Sequence, residues 1–142
     1  MSYTGCCACG AVTLAISAKP LAVRECWCWH CQQLCGGSPV HNAMFPTEAI
    51  ATTGELRRNT YIADSGTEIA WEFCPTCGTP LLAYSPVARP HLRSVRLGAI
   101  DRPNDLKPEV LIWTSEAPAW AVFDPALPQF REGPPAPPPV QV

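Results

Sequence analysis

No apolar run in this chain approaches the length of a bilayer span, and Met1-Ser2-Tyr3-Thr4 lacks the charged-then-apolar start of a secretory signal. These absences argue against a helical membrane anchor and place the expected protein in the cytoplasm. An excess of charge of one sign is missing too. With a formal net charge of −2, there is no basic footprint for an extended nucleic-acid partner. No internal repeat is visible beyond the recurrence of paired cysteines. A single domain with a real core is therefore the simplest organisation for 142 residues.

What is present in excess is cysteine and proline, nine and seventeen residues respectively. Cytosolic thiols are kept reduced and an odd number cannot pair completely, so a disulfide framework is not expected. The prolines leave little room for long helices and favour an all-β, loop-rich fold.

Taken in order, Val12, Leu14 and Ile16 alternate with small or polar residues, as in a strand with one buried face. Gly10, just before, suits a tight turn after Cys6-Cys7-Ala8-Cys9. Lys19-Pro20 ends this strand, and Leu21 to Cys26 is expected to run back beside it. Gln32 to Gly37 reads as one or two helical turns closed by glycine. Val40 to Phe45 is a further strand, followed by a short helical turn over Pro46 to Ile50. Asn59 to Asp64 and Thr67 to Phe73 flank Asp64-Ser65-Gly66 as a hairpin. Pro80 to Tyr84, Leu92 to Ile100 and Val110 to Thr114 complete the strands. The run from Gly133 to Pro139 is a polyproline tract, so residues 1–132 are read as the domain and residues 133–142 as a mobile tail.

Seven cysteines fall into three tight clusters. Cys7-x-Cys9 and Cys74-x-x-Cys77, the latter in a CPxCG knuckle, make a four-thiolate set from two distant hairpins. Such a set suits a closed structural zinc that contributes folding free energy. Cys26-x-Cys28-x-x-Cys31 makes a second site with only three thiolates. Its fourth ligand is water, a substrate thiolate, His30 or Cys35, and that choice separates a catalytic from a structural metal. Cys6 is not expected to ligate, nor His30, which abuts Cys31. Cys35 stands one helical turn beyond Cys31 and would close the site if it bound.

Trp27 and Trp29 interleave the ligands and are expected to pack the core around the sulfurs, with a pocket wall as the functional alternative. His41 and His91 read as surface or hydrogen-bonded residues. Arg57, Arg58, Arg93, Arg96 and Lys107 are candidates for the carboxylates of a small acidic ligand, though each alone reads as a solvated charge.

These residues together resemble the glutathione-dependent formaldehyde-activating enzymes, whose domain is shared with centromere protein V. The resemblance rests on Gly5 to Val12 (CxCGxV), Cys26 to Gly36 (CxCxxC) and Phe73 to Leu81 (FCPTCGTPL). It continues through Leu97 to Pro103, Pro108 to Thr114 and Ala117 to Trp120. It implies a β-tent-like fold of small antiparallel sheets with two zinc ions. Cys7, Cys9, Cys74 and Cys77 would hold the structural ion, and Cys26, Cys28 and Cys31 the catalytic one. It also implies a carbon–sulfur lyase that joins formaldehyde to the glutathione thiol, with homo-oligomer formation left open. The chain departs from the family pattern at Trp27, Cys35 and Leu111.

An ion held by three thiolates receives much ligand charge, so it suits capture of an incoming thiol better than production of hydroxide. The competing expectation is a non-catalytic interaction module whose second site is closed by Cys35, with the proline tract as a recognition segment.

Overall fold

The computed structural model describes residues 2–134. The expected proline tail therefore lies, beyond Pro134, outside the described residues. Strands dominate, at 41% against 11% helix, which fits the all-β expectation. In chain order they are β1 (Tyr3–Cys6), β2 (Thr13–Ile16), β3 (Ala22–Cys26), β4 (Val40–Pro46), β5 (Ile50–Thr53) and β6 (Arg57–Ile62). There follow β7 (Glu68–Phe73), β8 (Pro80–Ser85), β9 (Arg89–Arg96) and β10 (Val110–Ile112). One α-helix, α1 (Trp29–Leu34), sits between β3 and β4. No helix among the described residues is long and apolar enough to cross a membrane.

The strands form a three-stranded sheet, β1-β2-β5, and a seven-stranded sheet, β10-β3-β4-β9-β8-β7-β6. This corrects the expected partner of the Leu21–Cys26 segment. β3 does not return beside β2; it pairs with β4 and, in parallel, with β10. The physical reason lies in the pattern: β2 is satisfied on both edges by β1 and β5. Lys19-Pro20 thus acts as a crossover between sheets instead of a hairpin.

Period-two alternation gives the large sheet two different faces. Val23, Ala43, Phe45, Leu82 and Val95 turn to one side and pack against Tyr3, Val12, Leu14 and Ile16 of the small sheet. Phe45 and Val95 are fully buried there. The opposite face carries Arg24 and Cys26 from β3, Asn42 and Met44 from β4, and Ser94 and Arg96 from β9, all lining one cavity.

The small sheet is tied to the end of β9 by a very close backbone approach. Gly5 bridges to Ile100, and the Asp101 amide donates to the Thr4 carbonyl at 2.9 Å. A Cβ on Gly5 would stand 2.0 Å from the Ala99 carbonyl oxygen, so no side chain fits. Gly98, in the adjoining turn, has open space around its missing Cβ. Gly5→Ala should therefore lower stability by about 1–3 kcal/mol, while Gly98→Ala should change it by less than about 0.5 kcal/mol; urea denaturation of the two variants distinguishes them.

Candidate functional site

Two groups of sulfur atoms gather among the described residues: Cys7, Cys9, Cys74 and Cys77 in one, and Cys26, Cys28 and Cys31 in the other. Within each, all ligand atoms lie within 4.8 Å of one another. The first group joins the β1–β2 turn to the β7–β8 turn. Gly10 (φ +79°) and Gly78 (φ +77°) adopt the left-handed backbone that lets each chain fold tightly back on its cysteines. The Thr79 hydroxyl accepts from the Ala8 amide at 3.1 Å and lies 3.1 Å from the Cys77 sulfur, which cross-links the two knuckles. The Val12 amide donates to Cys7 Sγ at 3.3 Å.

Four thiolates at about 2.3 Å from a tetrahedral ion stand about 3.8 Å apart. The Cys7–Cys9 and Cys9–Cys74 sulfurs are 3.6 and 3.8 Å apart, so this set fits a thiophilic ion. Cys7 and Cys74 are buried while Cys9 and Cys77 reach the surface.

The second group is built from a strand end and a helix start. Cys26 closes β3, Cys28 caps α1, and Cys31 lies in its first turn, with its amide donating to Cys28 Sγ at 3.4 Å. The helix therefore begins at Trp29, earlier than the Gln32 expected, because Cys28 serves as the cap. Three side chains pointing to one spot across this corner give the CxCxxC spacing its meaning. Three thiols so close cannot all ionise without a cation. Hydrogen bonds from Cys26 and Cys31 pull Cys28 down to about 3. In return, the hydrogen bond with Cys28 pushes Cys26 up to about 12, and the bond with Cys26 raises Cys31 strongly. Three thiols within 4.8 Å of one another, two buried and one half-buried, are a donor set that suits a soft cation.

Gln32 holds this corner together. It is buried, and its amide donates to the Trp27 carbonyl at 2.7 Å and the Glu116 carbonyl at 3.0 Å. The Glu116 carboxylate accepts from the Trp29 amide at 2.9 Å. Cys35, the C-cap of α1, is exposed and lies outside the sulfur trio. His30 turns its ring onto Tyr61, with ring centres 3.5 Å apart, and its Nε2 is buried without a partner.

The trio opens on a cavity of about 630 Å³, walled on other sides by Trp29, Tyr61, Trp113, Arg24, Arg89 and Arg96. The two tryptophans flanking Cys28 part company. Trp27 is buried edge-on against Trp120 and Phe123, as expected of a core residue. Trp29 is 62% exposed and stands at the cavity, which corrects its core placement; as the first residue of α1 it points away from the sheet. Trp113 adopts φ +57°, a conformation costly for a bulky side chain. Its amide is bound to the Glu132 carbonyl at 3.0 Å, which helps fix the indole beside the trio.

Of the cations singled out from the sequence, Arg96 lines the cavity, Arg93 stacks on the Tyr84 ring at 3.3 Å, and Arg57 and Lys107 are exposed. Arg58 also lies over Tyr84, at 5.5 Å. His41 bonds Glu25 at 3.2 Å and His91 is exposed. Sequence reasoning missed Gln32, Tyr61, Arg24 and Arg89. For Arg24 a signal existed: it precedes Cys26 by two residues on one strand, and such residues share a face.

A family model described as glutathione-dependent formaldehyde-activating enzyme matches residues 2–116. Among solved structures, a Rhodobacter sphaeroides protein is similar in fold. It is 21% identical, with a TM-score of 0.54, and the alignment covers 71% of this chain and 90% of that one. No curated protein matches the chain.

Gln32→Ala takes the side-chain donor from the buried Trp27 carbonyl and the part-buried Glu116 carbonyl and frees the corner that aims the trio. It should weaken metal binding at the trio by about 10–100-fold and leave the four-cysteine group loaded; competition with a chromogenic chelator, read as two release phases, measures this.

Proposed function

The chain belongs to the glutathione-dependent formaldehyde-activating enzyme family, and from that premise we propose that it joins a thiol, glutathione first among them, to a small aldehyde in the cavity beside Cys26, Cys28 and Cys31. We take residues 1–132 as the domain that carries this activity, with a zinc ion at each cysteine group. Cys7, Cys9, Cys74 and Cys77 would hold the structural ion; Cys26, Cys28 and Cys31 would hold the other. When bound by three thiolates, zinc supplies a position at which a further sulfur is kept deprotonated near neutral pH.

The chain's own residues do the rest. The observation that carries the proposal is that the trio, unlike the quartet, forms part of the wall of a 630 Å³ cavity. A thiol entering there brings its sulfur to the trio while Trp29 and Trp113 flank it with apolar surface. Holding both reactants in one pocket converts an encounter of two solutes into a reaction between neighbours. The thiol sulfur forms a bond to the carbonyl carbon and the C=O π pair moves to oxygen. The thiol's proton ends on that oxygen, giving an S-hydroxymethyl adduct with no oxidant or reductant. This is the chemistry of a carbon–sulfur lyase acting in the direction of addition.

The interaction module weighed from the sequence requires a fourth protein sulfur at the trio. The placement of Cys35 outside the group favours the enzyme. A thiol-keeping compartment such as the cytoplasm suits both groups, since their function depends on reduced cysteine.

Zinc-loaded protein should accelerate adduct formation between glutathione and formaldehyde above the spontaneous rate. Cys28→Ser should abolish that excess while retaining one metal ion per chain. Adduct formation followed by NMR, with an enzyme-free control at the same concentrations, decides it; equal rates in the two samples would remove the activity.

A further inference from the structure

The cavity beside the trio has an unusual floor. In the large sheet Arg24 pairs with Asn42, and Asn42 with Arg96, so the three lie in one row across β3, β4 and β9. Cys26 lies on the same face of β3, two residues or about 7 Å along the strand from Arg24. Arg89, at the start of β9, lines the same cavity but stands seven residues, or about 23 Å of strand, before Arg96.

No carboxylate is paired with any of these guanidinium groups among the described residues. The one close ionic contact among the described residues is between His41 and Glu25, on the far face of the sheet. Arg96 is only 8% exposed, and its Nε is buried without a hydrogen-bond partner while a terminal nitrogen donates to Asn42 Oδ1 at 2.7 Å. The one carboxylate lining the cavity, Asp64, is exposed and shares a hydrogen bond with Glu116. Arg93 and Arg58, by contrast, are taken up by the ring of Tyr84.

Arginine stays charged at any pH a protein meets. Arg96, buried without an acid, forgoes solvation, and Arg24 in the same row is half-buried. A carboxylate entering the cavity relieves both, and the guanidinium fork binds it with two parallel hydrogen bonds. Asn42 keeps Arg96 aimed, since its carbonyl oxygen fixes one nitrogen and leaves the others forward.

We propose that Arg24 and Arg96 form a carboxylate-binding subsite on the cavity floor, with Arg89 adding positive charge elsewhere on the same lining, and that it holds an anionic substrate with its reacting end toward Cys26, Cys28 and Cys31. The orientation rests on the trio being the reaction centre; the anion site rests on the arginines alone. About 7 Å of strand between Arg24 and Cys26 matches the reach from thiol to carboxylate in a small amino-acid or peptide thiol. Substrate charge, and not thiol reactivity alone, then decides which molecules the cavity accepts.

The fluorescence of Trp29 and Trp113, both at the cavity, reports occupancy. Succinate, which has no thiol, should produce a saturable change in metal-loaded protein that weakens with salt. Its apparent Kd should rise at least tenfold in R24Q/R89Q. Glutathione should bind the unaltered protein at least tenfold more tightly than its diethyl ester, a comparison that needs no variant to fold. If glutathione displaces succinate, the carboxylate is the thiol's. If glyoxylate displaces it and glutathione does not, the carboxylate is the aldehyde's. Succinate binding that persists in a protein unable to accelerate the adduct reaction would uphold the subsite and remove the thiol chemistry. No saturable change with succinate, or equal affinity in R24Q/R89Q, would overturn the subsite.

Discussion

Sulfur atoms held within hydrogen-bonding distance of one another are the constraint on which this structure depends. Two thiolates 4 Å apart repel by about 4 kcal/mol at the effective dielectric of a protein surface. A group of four such charges is stable only around a cation. The quartet spans the turn after β1 and the turn after β7, so the force that holds the sulfurs also holds the small sheet to the far end of the large one. Hydrogen bonds around Thr79 and the Gly5–Ile100 contact act along the same seam. A cross-link there matters because β1, β2 and β5 make too small a sheet to stand alone.

The large sheet divides its labour by face. One side contributes Phe45, Val95 and their neighbours to the apolar core, and its burial sets the register, since a slip of one residue would exchange core for cavity. The other side is left to a cavity that combines soft sulfur, aromatic wall and unpaired positive charge. Positive charge is costly to bury without a partner, and aromatic surface facing an open cavity forgoes the burial it would gain in a core. A chain keeps such groups together where a ligand completes them.

Much of this was legible in the residues. Cysteine pairs at fixed short spacing identified both sulfur groups, because a chelating loop leaves little freedom in where its ligands fall. β2 followed from alternation and β6 and β7 from the Asp64-Ser65-Gly66 turn, while β5, which follows directly on the short helical turn after β4, carried no signal of its own. The partner of β3 was not legible. Local pattern fixes which face of a strand is apolar but says nothing about which sheet it joins, and Lys19-Pro20 serves a crossover as well as a hairpin. Trp29 was misplaced for a related reason: aromatic residues are apolar in composition, yet the first turn of a short helix can present them to solvent. Arg24 and Arg89 escaped notice because a cationic side chain is ordinarily solvated, and only the fold shows that Arg24 shares a row with Arg96 and that Arg89 lines the same cavity. Gln32 carried no signal, its role being set by the nearby Trp27 carbonyl together with the Glu116 carbonyl, 84 residues away.

The quartet also orders events in time. Cys9 and Cys74 are 65 residues apart, so the first knuckle leaves the ribosome well before its partner exists. At roughly 5–20 residues per second the interval is several seconds, during which Cys7 and Cys9 wait without Cys74 and Cys77 and the small sheet has only β3 and β4 to pack against. The reducing power of the surroundings thus bears on nascent chains more than on finished molecules, and its scarcity would appear first as lost yield.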